Sequence, residues 1–190
     1  MIDLFDTFVQ LQQAARPSGL ESPCAKLLAQ WAAPLCDEVA IDPLGNVICH
    51  KKGPGKKLMM VAHMDVIGLL VTHIDEQGFL RFACIGGFTP YRLIGTRVRL
   101  ESGLCGCVCC DEKAVAKPAG QVKAGDLYID IGAKGREEAQ KLVQIGDVAM
   151  YEGDPVQVNG KVISPYCDDL IACAALLKAM ELVENSENDL

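Results

Sequence analysis

The sequence lacks a surplus of basic residues and a long apolar run, and each absence removes a class of partner. It carries 18 Lys and Arg against 25 Asp and Glu, a net charge of -7. Binding nucleic acid by displacing counterions needs basic patches, so nucleic acid is not an expected partner. The basic pairs Lys51-Lys52 and Lys56-Lys57 flank Gly53-Pro54-Gly55 and read as a solvated hairpin loop. No apolar stretch approaches the roughly 18 residues of a spanning helix, so no membrane partner is expected either. Met1-Ile2-Asp3-Leu4-Phe5-Asp6 is acidic where a secretory signal needs positive charge. The chain is therefore expected in the cytoplasm.

What is present is apolar character and sulfur. Half of the 190 residues are hydrophobic, enough for a core, and ten are cysteine. In a cytosolic setting these are expected as free thiols. Cys105, Cys107, Cys109 and Cys110 form a C-x-C-x-C-C cluster. Soft ligands so close could hold Zn or Cu(I). On a strand, however, Cys105, Cys107 and Cys109 share one face and pack as small hydrophobes.

Periodicity divides the chain. A helical stripe covers Ile2 to Ala15 and breaks at Arg16-Pro17-Ser18-Gly19. Ser22-Pro23 opens a second helix running to about Ala32. Val39–Asp42 and Val47–His50 read as strands around an Asp42-Pro43-Leu44-Gly45-Asn46 turn. Leu58 to Ala62 reads as a strand covered on both faces. From Leu69 to about Ile163, short alternating runs with Gly-rich turns predict a small β-barrel or sandwich, interrupted by a helix at Arg136–Val143. Asp168 to Glu184 reads as helix again, followed by a polar tail over Asn185–Leu190. The predicted layout is an α/β domain over 1–68, an inserted β domain over 69–163, and the α/β domain resumed over 164–190. No internal repeat is evident.

The chemistry gathers at His63-Met64-Asp65. Residues two apart on a strand point to one face, and strand C-terminal ends are where open α/β sheets place ligands. His63 could ligate a metal through one ring nitrogen while Asp65 orients the imidazole. Asp168, at a helix N-terminus that tolerates negative charge, could bridge two ions about 3.5–4 Å apart. Ordinary roles stand beside these: Asp168 and Asp169 as helix caps, and His63 as a hydrogen-bonded core histidine.

The wider pattern resembles the dinuclear-zinc aminopeptidases that include glutamyl and deblocking aminopeptidases, the tetrahedral TET enzymes and proteins once called cellulase M. The resemblance is carried by Pro17-Ser18-Gly19, Asp42–Ile48, His63–Gly68, Val71–Asp75, Gly78–Phe82, Asp126–Gly132, Gly146-Asp147 and Asp168-Asp169. It implies an α/β zinc-peptidase-like catalytic domain, here lacking its C-terminal part, with an inserted PDZ-like β-barrel that builds homo-oligomers. It implies two divalent metal ions, Zn or Co, with His63 ligating one, Asp168 bridging both and Asp65 orienting His63. Asp169 is expected to follow a cis peptide. The reaction implied is hydrolysis of N-terminal residues from short peptides, with a glutamate as general base.

Three departures bear on activity. Val66 stands where the family usually has an acidic residue, and Leu170 where it usually has arginine. The family's Glu-Glu pair, a further acidic ligand and a final histidine are expected after the Asp168 helix, and they are absent from the 190 residues. Glu137-Glu138 precedes Asp168 and is not that pair. Little peptidase activity is therefore expected from this chain alone. A non-catalytic assembly or dimerisation module is the alternative, and a thiol-metal or redox protein using Cys105–Cys110 is a third.

Overall fold

The computed structural model describes residues 1–183 and 189. Along the chain run α1 (Leu4–Ala14), α2 (Ser22–Ala32), β1 (Glu38–Ile41), β2 (Val47–His50), β3 (Gly68–Ile74), β4 (Leu80–Ile85), β5 (Arg97–Leu100) and β6 (Cys105–Cys110). Then come a helical turn, α3 (Glu112–Val115), β7 (Leu127–Asp130), α4 (Arg136–Leu142), β8 (Val148–Tyr151), β9 (Val156–Val158), β10 (Lys161–Ile163) and α5 (Cys167–Leu182). They fall into two compact units, Met1–Val66 with Asp154–Leu190, and Ile67–Gly153. Glu184 and the tail positions 185–188 and 190, read from sequence as helix end and loop, lie outside the described residues. No helix among the described residues is long and apolar enough to cross a membrane.

In the first unit, α1 starts where the Asp3 carboxylate accepts the Asp6 amide at 2.9 Å, satisfying an amide the helix leaves free. Its buried residues are Phe8 and Leu11. Pro23 enters α2 in the first turn, where a missing N–H costs nothing. The helix buries Cys24, Ala25 and Ala32. β1 and β2 pair antiparallel. Their turn is closed by Asp42, whose Oδ1 accepts the amides of Leu44 and Asn46 at 2.8 and 2.9 Å. α5 buries Leu170, Cys173, Ala174 and Leu177 and packs on α1.

Two sequence expectations change here. Leu58–Ala62 carries no strand, and Leu58, Met59 and Val61 are 55%, 85% and 76% exposed. The run is apolar enough for a doubly covered strand, but among the described residues its ladder contact is a single parallel bridge from Lys57 to Asp189. Without a neighbouring strand, composition alone does not make one. The second change concerns 154–163, expected within the insert. There β9 and β10 pair antiparallel across a two-residue Asn159-Gly160 turn, and the segment groups with the first unit. β8 is the last strand of the barrel ladder.

The second unit is a closed barrel of order β3-β4-β7-β6-β5-β8, every pairing antiparallel. Closure removes sheet edges. Alternation sends Leu80, Val98, Leu100, Val108, Leu127 and Ile129 into the core. Ala139 of α4 joins them. On β6 the inward residues are Gly106, Val108 and the half-buried Cys110. A Cβ on Gly106 would meet Ile129 Cγ2 at 2.5 Å, so the barrel needs glycine there. Cys105, Cys107 and Cys109 therefore lie on the opposite face from Val108, with Cys105 exposed. They are not core hydrophobes as the spacing suggested. The larger Val108 took the interior register, and a period of two sends its neighbours outward.

Candidate functional site

The site is assembled within the first unit. The chain at Arg16-Pro17 runs beside Val66: Pro17 and Val66 form a parallel bridge, and the Val66 amide donates to the Arg16 carbonyl at 3.1 Å. The Leu20 amide then donates to the Pro17 carbonyl at 3.0 Å, closing a turn with Gly19 at φ +89°. A positive φ at that turn position is easy only without a Cβ. Ser18 is thereby delivered to Asp65, its Oγ donating to Oδ2 at 2.5 Å.

Asp65 in turn engages His63. The imidazole Nδ1 lies 3.1 Å from Asp65 Oδ1 and 3.1 Å from the Asp65 carbonyl oxygen. On the other side of the ring, Nε2 lies 3.1 Å from Asp168 Oδ1. The backbone of His63 is held from α5, where the Cys173 thiol donates to its carbonyl at 3.3 Å. Desolvation depresses the His63 pKa, but hydrogen bonds to the Asp65 carbonyl and Asp168, with the charges of both acids, raise it above the ordinary value. Burial pushes the Cys173 thiol up to about 12, so it keeps the proton it donates.

Asp168 and Asp169 depart from helical φ/ψ at the start of α5, and the peptide between them is cis, as the resemblance led us to expect. The Asp168 side chain is 95% exposed and turned to His63. The two substituted positions among the three departures are both buried and apolar: Val66 is 4% exposed and Leu170 is fully buried. An acid or an arginine at those places would be desolvated.

The structure thus brings His63, Asp65 and Asp168 together. Ser18 and Cys173 were missed as parts of the site. Ser18 stood in a stretch that carried the resemblance, and only the turn geometry gives it a role. Cys173 carries no sequence signal that would mark it, and only its thiol's contact with the His63 carbonyl does so. An imidazole and carboxylates suit a borderline divalent ion. A held zinc ion takes three or four protein donors, and among the described residues no group of three or more His, Cys, Asp or Glu is placed to hold a metal. The described residues do not complete a metal site. The same holds for Cys105–Cys110, strung along β6 rather than gathered.

Comparison with known proteins bears on what this partial site belongs to. A putative aminopeptidase of Acetivibrio thermocellus is 40% identical over 188 residues, covering 99% of this chain and 56% of the relative. The solved aminopeptidase of the archaeon Desulfurococcus kamchatkensis superposes with a TM-score of 0.89 at 31% identity, over 98% of this chain and 54% of that one. The TET1 peptidase of Pyrococcus horikoshii, which can assemble into a tetrahedron or a large octahedral shell, superposes at 0.82 with 30% identity, over 97% of this chain and 58% of that one. The chain spans about half the length of the relatives it matches. The pattern of the M42 glutamyl aminopeptidases matches residues 45–190. With three-quarters of its length in that match and its fold shared with solved aminopeptidases, the chain belongs to the M42 glutamyl aminopeptidase family.

Proposed function

We propose that this chain carries part of the metal centre of a cytoplasmic aminopeptidase acting on short peptides. His63 and Asp168 face the place of two divalent ions, Zn or Co, and Asp65 orients His63. By themselves these residues have little peptidase activity, because they supply too few donors to hold an ion firmly. The observation behind this reading is the convergence of His63 and Asp65 with Asp168, about a hundred residues away in sequence, with both ring nitrogens at 3.1 Å from a carboxylate oxygen. The zinc-peptidase character of the first unit is part of the same proposal.

Metal stoichiometry of the purified chain tests it, with His63→Ala as control. The expected result is weak binding, well below one ion per chain after dialysis, lost in the control, and no release of amino acids from peptide anilides. Weak binding that persists in His63→Ala would remove His63 from the centre. Tight binding with metal-dependent release would overturn the proposed inactivity.

A second reading is supported by the similarity to the TET1 peptidase, which can assemble into a tetrahedron or a large octahedral shell. In it the proposed PDZ-like insert serves as an assembly module that pairs copies of the chain. Light scattering of the chain at several concentrations tests this, and a monomer throughout would remove it.

A further inference from the structure

We infer that Ser18 is a positioning residue for the site: its hydroxyl fixes the Asp65 carboxylate so that Oδ1 meets His63 Nδ1 and the ring turns Nε2 toward Asp168. The inference deepens the reading of Asp65 as the carboxylate that orients His63, and rests on it.

The geometry is a relay of three contacts. Ser18 Oγ donates to Asp65 Oδ2 at 2.5 Å. The other oxygen, Oδ1, is 3.1 Å from His63 Nδ1. Nε2 is 3.1 Å from Asp168 Oδ1. A carboxylate is symmetric and turns about its last bond, and Asp65 is only partly buried, so one anchored oxygen decides where the other points. Nδ1 also has the Asp65 carbonyl oxygen at 3.1 Å. With the carboxylate loose, that carbonyl is the remaining acceptor for Nδ1 and does not by itself fix the ring plane. A partner on the far ring nitrogen sets which nitrogen carries the proton.

Ser18 itself is held, as positioning requires. The turn closes between Leu20 and Pro17, the bridge runs from Pro17 to Val66, and the Gly19 amide donates to Glu21 Oε1 at 2.8 Å. The hydroxyl thus sits on a fixed backbone rather than on a free loop. Threonine would preserve the donor, and alanine would remove it while leaving the turn intact.

The test uses the 190-residue chain without metal. Only three histidines are present, so the His63 ring is assigned in a long-range 1H–15N spectrum by its loss in His63→Gln. The hydrogen-bonded Nδ1 proton of His63 is expected in the wild type, absent or averaged in Ser18→Ala, and restored in Ser18→Thr. Melting temperatures should agree within a few degrees. Unchanged His63 signals in Ser18→Ala would overturn the inference. So would a change shared equally by His50 and His73, which marks general loosening. Should Ser18→Ala fail to fold, Ser18→Thr compared with Ser18→Val decides by the same signals. The outcome is independent of metal content: if no ion binds and the ring signals still respond to Ser18, the relay stands and the metalloenzyme reading falls.

Discussion

At the scale of single residues, the two substituted positions of the family pattern are the most informative. Val66 and Leu170 occupy buried positions beside the site, and both are apolar. Restoring the family's usual chemistry through Val66→Glu or Leu170→Arg would bury a charge without a partner. Such burial is strongly unfavourable. Each variant is expected to lose at least about 2 kcal/mol of stability, read by urea unfolding. A neutral result would mean a partner or solvent reaches the position. The thiols make a separate prediction. Burial raises Cys24 from 9.0 to about 11 and Cys173 to about 12. Their folded pKa values exceed the unfolded ones, so their contribution is fully present below pH 9 and is lost as pH rises toward 11 and 12. The melting temperature should fall over that window. At pH 8 both thiols should resist iodoacetamide in the folded chain while exposed Cys105 reacts. Rapid labelling of Cys24 would show the α1–α2–α5 core to be open.

At the scale of elements, legibility followed whether the signal was local. The helices over 4–14 and 22–32 have a cap and an N-terminal proline in sequence, and both formed near their expected bounds. The barrel strands announced themselves by alternation between turns. The cysteine strand was legible as a strand but not in register, because choosing which face enters a barrel depends on the Ile129 side chain packed over Gly106, which no short window contains. Gly106→Ala is accordingly expected to destabilise the barrel by about 1–3 kcal/mol through overpacking, seen as a lower denaturation midpoint. Leu58–Ala62 failed for the opposite reason: its composition describes the environment of a covered strand, while strand formation needs a partner elsewhere. Its amides should exchange with deuterium within seconds to minutes, against strong protection across β3 and β4. Slow exchange over 59–62 would mean a ladder has formed. In the site, His63, Asp65 and Asp168 were all singled out from the sequence, although the strand that was to set His63 and Asp65 on one face is absent over 58–62. Ser18 was not, since its role arises from a turn laid beside Val66.

At the scale of the whole molecule, apolar surface governs behaviour. Ile41, Ile48, Leu58, Met59, Met60 and Val61 are all exposed within the Met1–Val66 segment. Monomeric proteins rarely expose large contiguous apolar patches, and those that do tend to associate. The net charge of -7 opposes association only weakly at physiological salt, where charges beyond about 8 Å are screened. Two surfaces could thus drive self-association, this apolar segment and the barrel of Ile67–Gly153, and they respond differently to substitution. Met59→Lys with Val61→Lys places charge on side chains already 85% and 76% exposed, so stability should change by less than about 0.5 kcal/mol. If the apolar segment is responsible, the wild-type chain binds the dye ANS and grows in mass with concentration and with added sulfate, which strengthens apolar burial. The double variant then loses both responses. If the barrel is responsible, light scattering gives a discrete oligomer whose mass the double variant leaves unchanged. A discrete oligomer that persists in the variant would place assembly in the barrel and make the exposed 58–61 run incidental to it. Loss of association would instead make that run the surface whose covering determines how the chain behaves in solution.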